Sequence, residues 1–270
     1  MFKFPKGMRV ATLDERKEFY ESEFDVKNVS RWIAGNARHM KFAMILGRHT
    51  GVVSRERIRA KNDVIVIDDW EDAGTLRDYA IDYLPESMYY DRDRYLDVRD
   101  CARCAKRRIK CRNCHNCLGQ QLAFDLDPEN VDCPYHGHIG DKIQNGRALS
   151  FCMFEFKTIK RQTAALYSEL RKHYDEIEIV FSGRGFHVVV NDEEAYRMSI
   201  AKRSSLALRI ARRYAIDEWV TKGESRLMRL PYSLNSLVSR KCMIMKDERD
   251  LLGFDPRVSA FVIPKFLRSA

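Results

Sequence analysis

Apolar residues recur at helical spacing near the start of the chain. Leu13, Phe19 and Tyr20, then Trp32, Ile33, Met40, Ala43 and Met44, predict helices over 13–24 and 27–46. Residues 51–62 are basic and show no regular pattern. The run DVIVI predicts a strand at 63–67, and 72–84 a helix that Pro85 stops. Further on, strands are expected over 121–127, 176–182 and 186–190, with a tight turn at Gly183-Arg184-Gly185. Long helices are expected over 151–173 and over 193–214, the second capped by Asp192. Strands at 227–231, 241–246 and 258–263 complete the pattern. Helices and strands are interspersed without a Pro/Gly-rich linker, which predicts one α/β domain over 1–270. The exception is 99–120, too poor in apolar residues to build a core without a metal.

The composition is ordinary for a chain with a buried core: 270 residues, 45% hydrophobic and 32% charged. This excludes collagen-like, low-complexity and largely disordered classes. No run of about 18 apolar residues occurs, so no membrane partner is expected. The opening MFKFPKGMRV lacks the apolar centre of a secretory signal, which predicts a cytoplasmic protein. The net charge of +9 hides a segregation. Residues 63–100 hold twelve acids against four arginines, 101–124 hold six Lys/Arg and no acid, and 197–229 hold nine Lys/Arg against three acids. Basic stripes suit a polyanion, most often nucleic acid; a solvated helix face gives the same pattern.

Three short pieces carry candidate chemistry. In Phe124-Asp125-Leu126-Asp127, alternation along a strand puts both aspartates on one face, Cα atoms about 6.5–7 Å apart. Two such carboxylates can hold hard divalent cations, Mg²⁺ or Mn²⁺. Phe181-Ser182-Gly183-Arg184-Gly185-Phe186-His187 reads as strand, glycine turn, strand. Its glycines allow close backbone approach to a ligand, and Arg184 is shaped to fork onto a phosphate. The third piece holds Asp217, then Arg226, Arg229, Pro231 and Asn235.

Taken together in this order, the pieces resemble the catalytic core of the archaeo-eukaryotic primase superfamily, in particular the archaeal small primase subunit. The DxD motif is matched by Asp125 and Asp127, and the SGRG-aromatic-His turn by Ser182, Gly183, Arg184 and His187. The aspartate ahead of an R-x-P element is matched by Asp217, Arg229 and Pro231. Glu18-Phe19-Tyr20 and Val262-Ile263-Pro264-Lys265-Phe266 extend the likeness from about residue 13 to 267. The resemblance implies a core of mixed β-sheets flanked by helices, with a zinc-binding insertion. It implies template-directed nucleotidyl transfer on single-stranded DNA, in a replicative subunit working with a large primase subunit or in a stand-alone primase-polymerase. Asp125, Asp127 and Asp217 would hold two catalytic Mg²⁺ or Mn²⁺ ions. Ser182, Gly183, Arg184, His187 and Arg229 would hold the nucleoside triphosphate. Asn235 stands where the family usually has histidine; it can donate to a phosphate oxygen but carries no charge. The competing reading is a non-catalytic, zinc-bearing nucleic-acid-binding protein.

Six of the eight cysteines fall between residues 101 and 133. Cys101, Cys104, Cys111, Cys114 and Cys117, followed by Cys133, His136 and His138, offer ligands for one or two structural zinc ions within 99–140. An iron–sulfur cluster is the alternative. Cys152 and Cys242 lie among apolar residues and read as small buried hydrophobes.

Overall fold

A capping box opens the first helix. Thr12 accepts from the Glu15 amide, and the Glu15 side chain reaches back to the Thr12 amide, starting α1 (Leu13–Ser22). Asp25 caps α2 (Val26–Ile33) through the Asn28 amide. The computed structural model describes residues 2–34, 40–53, 64–103 and 115–268. In chain order there follow β1 (Phe42–Ile45), β2 (Val64–Ile67), α3 (Ala73–Tyr83), β3 (Ser87–Asp91), β4 (Asp93–Tyr95) and α4 (Val98–Arg103). The middle of the chain supplies β5 (Cys117–Gln120), β6 (Leu122–Leu126), α5 (Ile139–Gln144), α6 (Met153–Leu170), β7 (Ile177–Phe181) and β8 (Phe186–Val190). The last third supplies α7 (Glu193–Tyr196), α8 (Ile200–Ala211), α9 (Glu218–Lys222), β9 (Leu227–Arg229), β10 (Leu234–Asn235), β11 (Arg240–Lys241), β12 (Met243–Met245) and α10 (Glu248–Gly253).

Two four-stranded antiparallel sheets organise these elements, in the orders β2-β1-β3-β9 and β12-β7-β8-β6. The second sheet is covered on both faces. Leu122, Phe124, Leu126, Phe186 and Val188 pack into one core with Phe156 and Ile159 of α6. Their alternate neighbours Ala123, Val180 and Val189 pack into another core with Phe42, Met44 and Met88 of the first sheet. Asp125 and His187 are in register on that second face, toward the other sheet. This placement sets the candidate site in the cleft between the sheets.

The sequence reading needs correction in three places. The expected helix over 27–46 stops at Ile33, and Phe42–Ile45 forms β1 instead. Ladder pairing with β2 and β3 on both sides and burial of Phe42, Ala43 and Met44 override the helical spacing. The expected helix over 193–214 breaks into α7 and α8, because Ser199 caps a new start through the Lys202 amide. Asp192 makes no capping bond there; its carboxylate accepts from the Asp175 and Glu176 amides. Residues 258–263 form turns rather than a strand, with Val262 buried and its carbonyl taken by the Lys241 amide. Among the described residues no helix is long and apolar enough to cross a membrane.

Candidate active site and metal cluster

A cleft of about 200 Å³ opens between the sheets, lined by Asp125 of β6 and Asp127 just past its end, by Ser182 and Arg184 of the β7–β8 turn and His187 of β8, and by Tyr89 of β3 and Arg229 of β9. The turn is built to be tight. Gly183 has φ +97°, and a Cβ there would lie 2.5 Å from the Asn235 Cβ. A Cβ at Gly185 would meet the Leu126 carbonyl oxygen at 2.4 Å and Asp127 Oδ1 at 2.6 Å, so only glycine lets the turn close onto the DxD strand. Ser182 Oγ accepts from the Gly185 amide at 3.0 Å.

Asp217 joins the DxD pair through the main chain, its amide donating to the Asp125 carbonyl at 2.8 Å. One of its carboxylate oxygens caps α9 by accepting from the Trp219 amide at 2.9 Å. Burial first, then the charges of Asp127, Asp217 and Glu129, hold the Asp125 carboxyl well above the usual carboxylate range. Burial and Asp127 also raise Asp217. Arg184 answers part of this charge, with Nη2 at 3.1 Å from Asp127 Oδ2 and 2.5 Å from Glu129 Oε1. Its own burial opposes ionisation, and those two carboxylates overcome it, raising its pKa. His187 Nε2 stands 3.6 Å from Asp125 Oδ1, too far for a hydrogen bond. Burial lowers its pKa to about 3, so the imidazole is neutral at pH 7.

Asp125 Oδ1 is buried without a hydrogen-bond partner. An under-compensated, all-oxygen group of three carboxylates suits hard divalent cations. Arg229 likewise has a buried, unpartnered Nη1, while its Nη2 donates to Tyr89 Oη at 3.2 Å. Asn235 differs from expectation. Its side chain is buried and its Nδ2 donates to the Ser182 carbonyl at 3.0 Å, so it braces the turn rather than offering a donor to phosphate. Sequence reasoning missed Tyr89 and Glu129. Both belong to elements it did not predict, β3 and the 3-10 turn Pro128–Asn130.

An uncharacterized DNA primase small subunit-like protein of Archaeoglobus fulgidus is 48% identical over 270 residues, all of this chain and 95% of that relative. The chain belongs to the archaeal DNA primase small subunit family. The DNA primase small subunits PriS of Pyrococcus abyssi and Thermococcus onnurineus are each 24% identical, over 199 and 198 residues. These matches take in 74% and 73% of this chain but 49% of each PriS. The chain thus spans about half the length of those relatives. No protein-family model matches the chain.

This primase-family chain carries a second cluster. Cys133, His136, Cys152 and Glu155 bring four ligand atoms within 4.8 Å of one another. Cys133 Sγ is 3.5 Å from His136 Nδ1 and 3.9 Å from Cys152 Sγ, and His136 Nδ1 is 3.4 Å from Glu155 Oε2. Zinc bonds of about 2.0–2.3 Å put tetrahedral ligand atoms roughly 3.3–3.8 Å apart, so the donor set fits zinc with little movement. Local structure explains the grouping. Reciprocal Cys133–Gly137 backbone bonds fold the first pair into a tight loop. The i, i+3 spacing on the first turn of α6 presents the second pair on one face. Glu155 is fully buried, and Lys142 Nζ meets its Oε1 at 2.5 Å.

Two metal expectations change. His138 is exposed and caps α5, its Nδ1 accepting from the Gly140 amide, and so lies outside the cluster. Cys152 is a cluster member rather than a packing residue; the Cys133-x2-His136 spacing, echoed by Cys152-x2-Glu155, was the available signal. Cys117 lies on β5 opposite Tyr95, apart from this group. Cys104, Cys111 and Cys114 lie outside the described residues, as does the side chain of Cys101.

Proposed function

We propose that the protein is a catalytic primase, a metal-dependent, template-directed nucleotidyltransferase acting on single-stranded DNA, with 1–270 as one catalytic domain. The observation that carries this reading is the meeting of Asp125, Asp127 and Asp217 beside the glycine turn, with one carboxylate oxygen left without a partner. When bound there, two Mg²⁺ or Mn²⁺ ions supply charge neutralisation and activation of a hydroxyl. The chain's own residues do the rest by positioning. Arg184 and Arg229 offer cationic donors to the triphosphate, Arg229 with a nitrogen still unsatisfied. His187, neutral at pH 7, offers a donor without drawing the carboxylates into an ion pair. Glu129 holds the Arg184 guanidinium in place. The PriS name of the distant relatives supports a nucleic-acid substrate and a large primase subunit as partner. Cys133, His136, Cys152 and Glu155 would hold one structural zinc; the mixed sulfur, nitrogen and oxygen donors favour zinc over an iron–sulfur cluster.

The test is primer synthesis on a single-stranded template with Mg²⁺ or Mn²⁺ and either NTPs or dNTPs. Asp125→Ala is expected to lower the rate about a thousandfold, or about 4 kcal/mol of transition-state stabilisation, with folding retained. New oligomers made by Asp125→Ala at the wild-type rate would end the assignment.

A further inference from the structure

Another cavity lies apart from the cleft described above. It measures about 70 Å³ and is lined by Lys3, His136, Lys142, Asn145, Arg147 and Ser150, with Phe151. No carboxylate lines it. Nucleoside-sized ligands need cavities of several hundred Å³. This one has room for a single tetrahedral oxyanion. Arg147 has no ion pair or hydrogen bond from its guanidinium among the described residues, and its side chain is exposed. The Lys142 ammonium is committed to the carbonyls of Glu129 and Val131 and to Glu155, so it adds field rather than a free donor. His136 turns Nδ1 to the cysteine–glutamate cluster. With that nitrogen serving as a ligand, the proton sits on Nε2, which becomes a donor.

Beside this cavity, the residue before His136 is the most exposed aromatic of the described residues. Tyr135 is 76% exposed and meets the 41%-exposed Phe154 ring edge-on at 6.0 Å. A basic phosphate-sized hollow next to an exposed ring is the arrangement that single-stranded nucleic acids use, backbone on cations and base on an aromatic face. The location fits as well. The wall of the cavity is segment 147–151, pinned by Arg147 N to Lys142 O, Phe151 N to Lys3 O and Lys3 N to Ser150 Oγ. On its other side Leu149 lines the catalytic cleft, and its carbonyl accepts from Arg184 at 3.4 Å. One chain segment thus separates the two hollows.

We infer that the face formed by Tyr135, Arg147, Lys3 and His136 binds single-stranded nucleic acid, with one backbone phosphate in the cavity and one base against Tyr135. The inference rests on the template-directed reading of the cleft and locates where the strand runs beside it.

The test uses the full chain, loaded with zinc, and a fluorescent oligothymidylate followed by anisotropy across a salt series. Tyr135→Ala is expected to weaken binding about tenfold. Arg147→Ala is expected to weaken it several-fold and to reduce the slope of log K against log salt by about 0.7, the value for one lost phosphate contact. Both side chains are exposed, so folding is retained, and binding of Mn²⁺–nucleotide measured in parallel should stay at the wild-type level. Wild-type oligonucleotide affinity and salt slope in both variants would overturn the inference while leaving the catalytic reading intact. So would a strand readily displaced by millimolar inorganic phosphate with no effect of Tyr135→Ala, which marks a free-anion site. Absence of strand binding by the wild-type protein would instead overturn the template-directed reading itself.

Discussion

The cleft and the cysteine–histidine cluster handle buried carboxylates in opposite ways. At the cluster, Glu155 has both oxygens engaged, one by Lys142 and the other by the Cys152 amide and near His136. In the cleft, Asp125 keeps an oxygen with no partner, and the acids Asp127, Asp217 and Glu129 outweigh the pull of Arg184 on it. The first is a closed arrangement of mixed sulfur, nitrogen and oxygen donors, which on the reading proposed above one zinc ion would complete. The second stays short of positive charge, the condition under which, on the catalytic reading proposed above, hard cations would enter with substrate. Charge left uncompensated costs stability in the free protein.

Dismantling the cluster should give the largest change in stability. Cys133→Ser is expected to lose zinc, read by metal analysis, and to lower stability by about 3 kcal/mol, a fall of roughly 6–12 °C in Tm for a chain of this size. Retention of stoichiometric metal at unchanged Tm would erase the contrast between the two sites. The cleft should respond the other way. Asp125→Asn removes like-charge repulsion, so in metal-free buffer Tm is expected to rise by roughly 2–4 °C, about 1 kcal/mol, while stabilisation by Mn²⁺ disappears. A fall in Tm would mean that the carboxylate is already compensated.

The smallest effect is a slope. Burial, followed by the opposing pull of Arg184 and the push of Asp127, leaves Glu129 with a pKa raised to about 7 from 4.5. A raised carboxyl binds more protons folded than unfolded, so this group's contribution to stability is lost as pH rises from about 4.5 to 7. His187, lowered to about 3, acts in the opposite sense, favouring the folded state as pH rises from 3 to 6.5. Glu129→Gln should therefore make the metal-free protein gain stability more steeply with pH across 4.5–7 than the wild type. Identical denaturation profiles would place Glu129 outside the charge network.

The parts of the site that could be read from sequence are those fixed by local rules. Period-two alternation put Asp125 and Asp127 on one face, and the glycine pair marked the turn that closes on them. What escaped depends on contacts distant in sequence. The buried run Phe42–Ile45 carries no mark distinguishing strand from helix until β2 and β3 flank it. Cys152 was separated from its partners because ligand spacing favours near neighbours, whereas α6 delivers it from 19 residues beyond Cys133. His138 followed Cys133 closely yet is used by the α5 cap. Asn235 stands at a motif position where the family usually has histidine, but burial under Gly183 decides what its amide does.

The bond between the Asp217 amide and the Asp125 carbonyl runs entirely through main chain. Any residue type other than proline at position 217 preserves it. The approach of these two segments is therefore independent of the acidity at position 217: a variant without that carboxylate would keep the backbone join while losing its charge and its side-chain cap on α9.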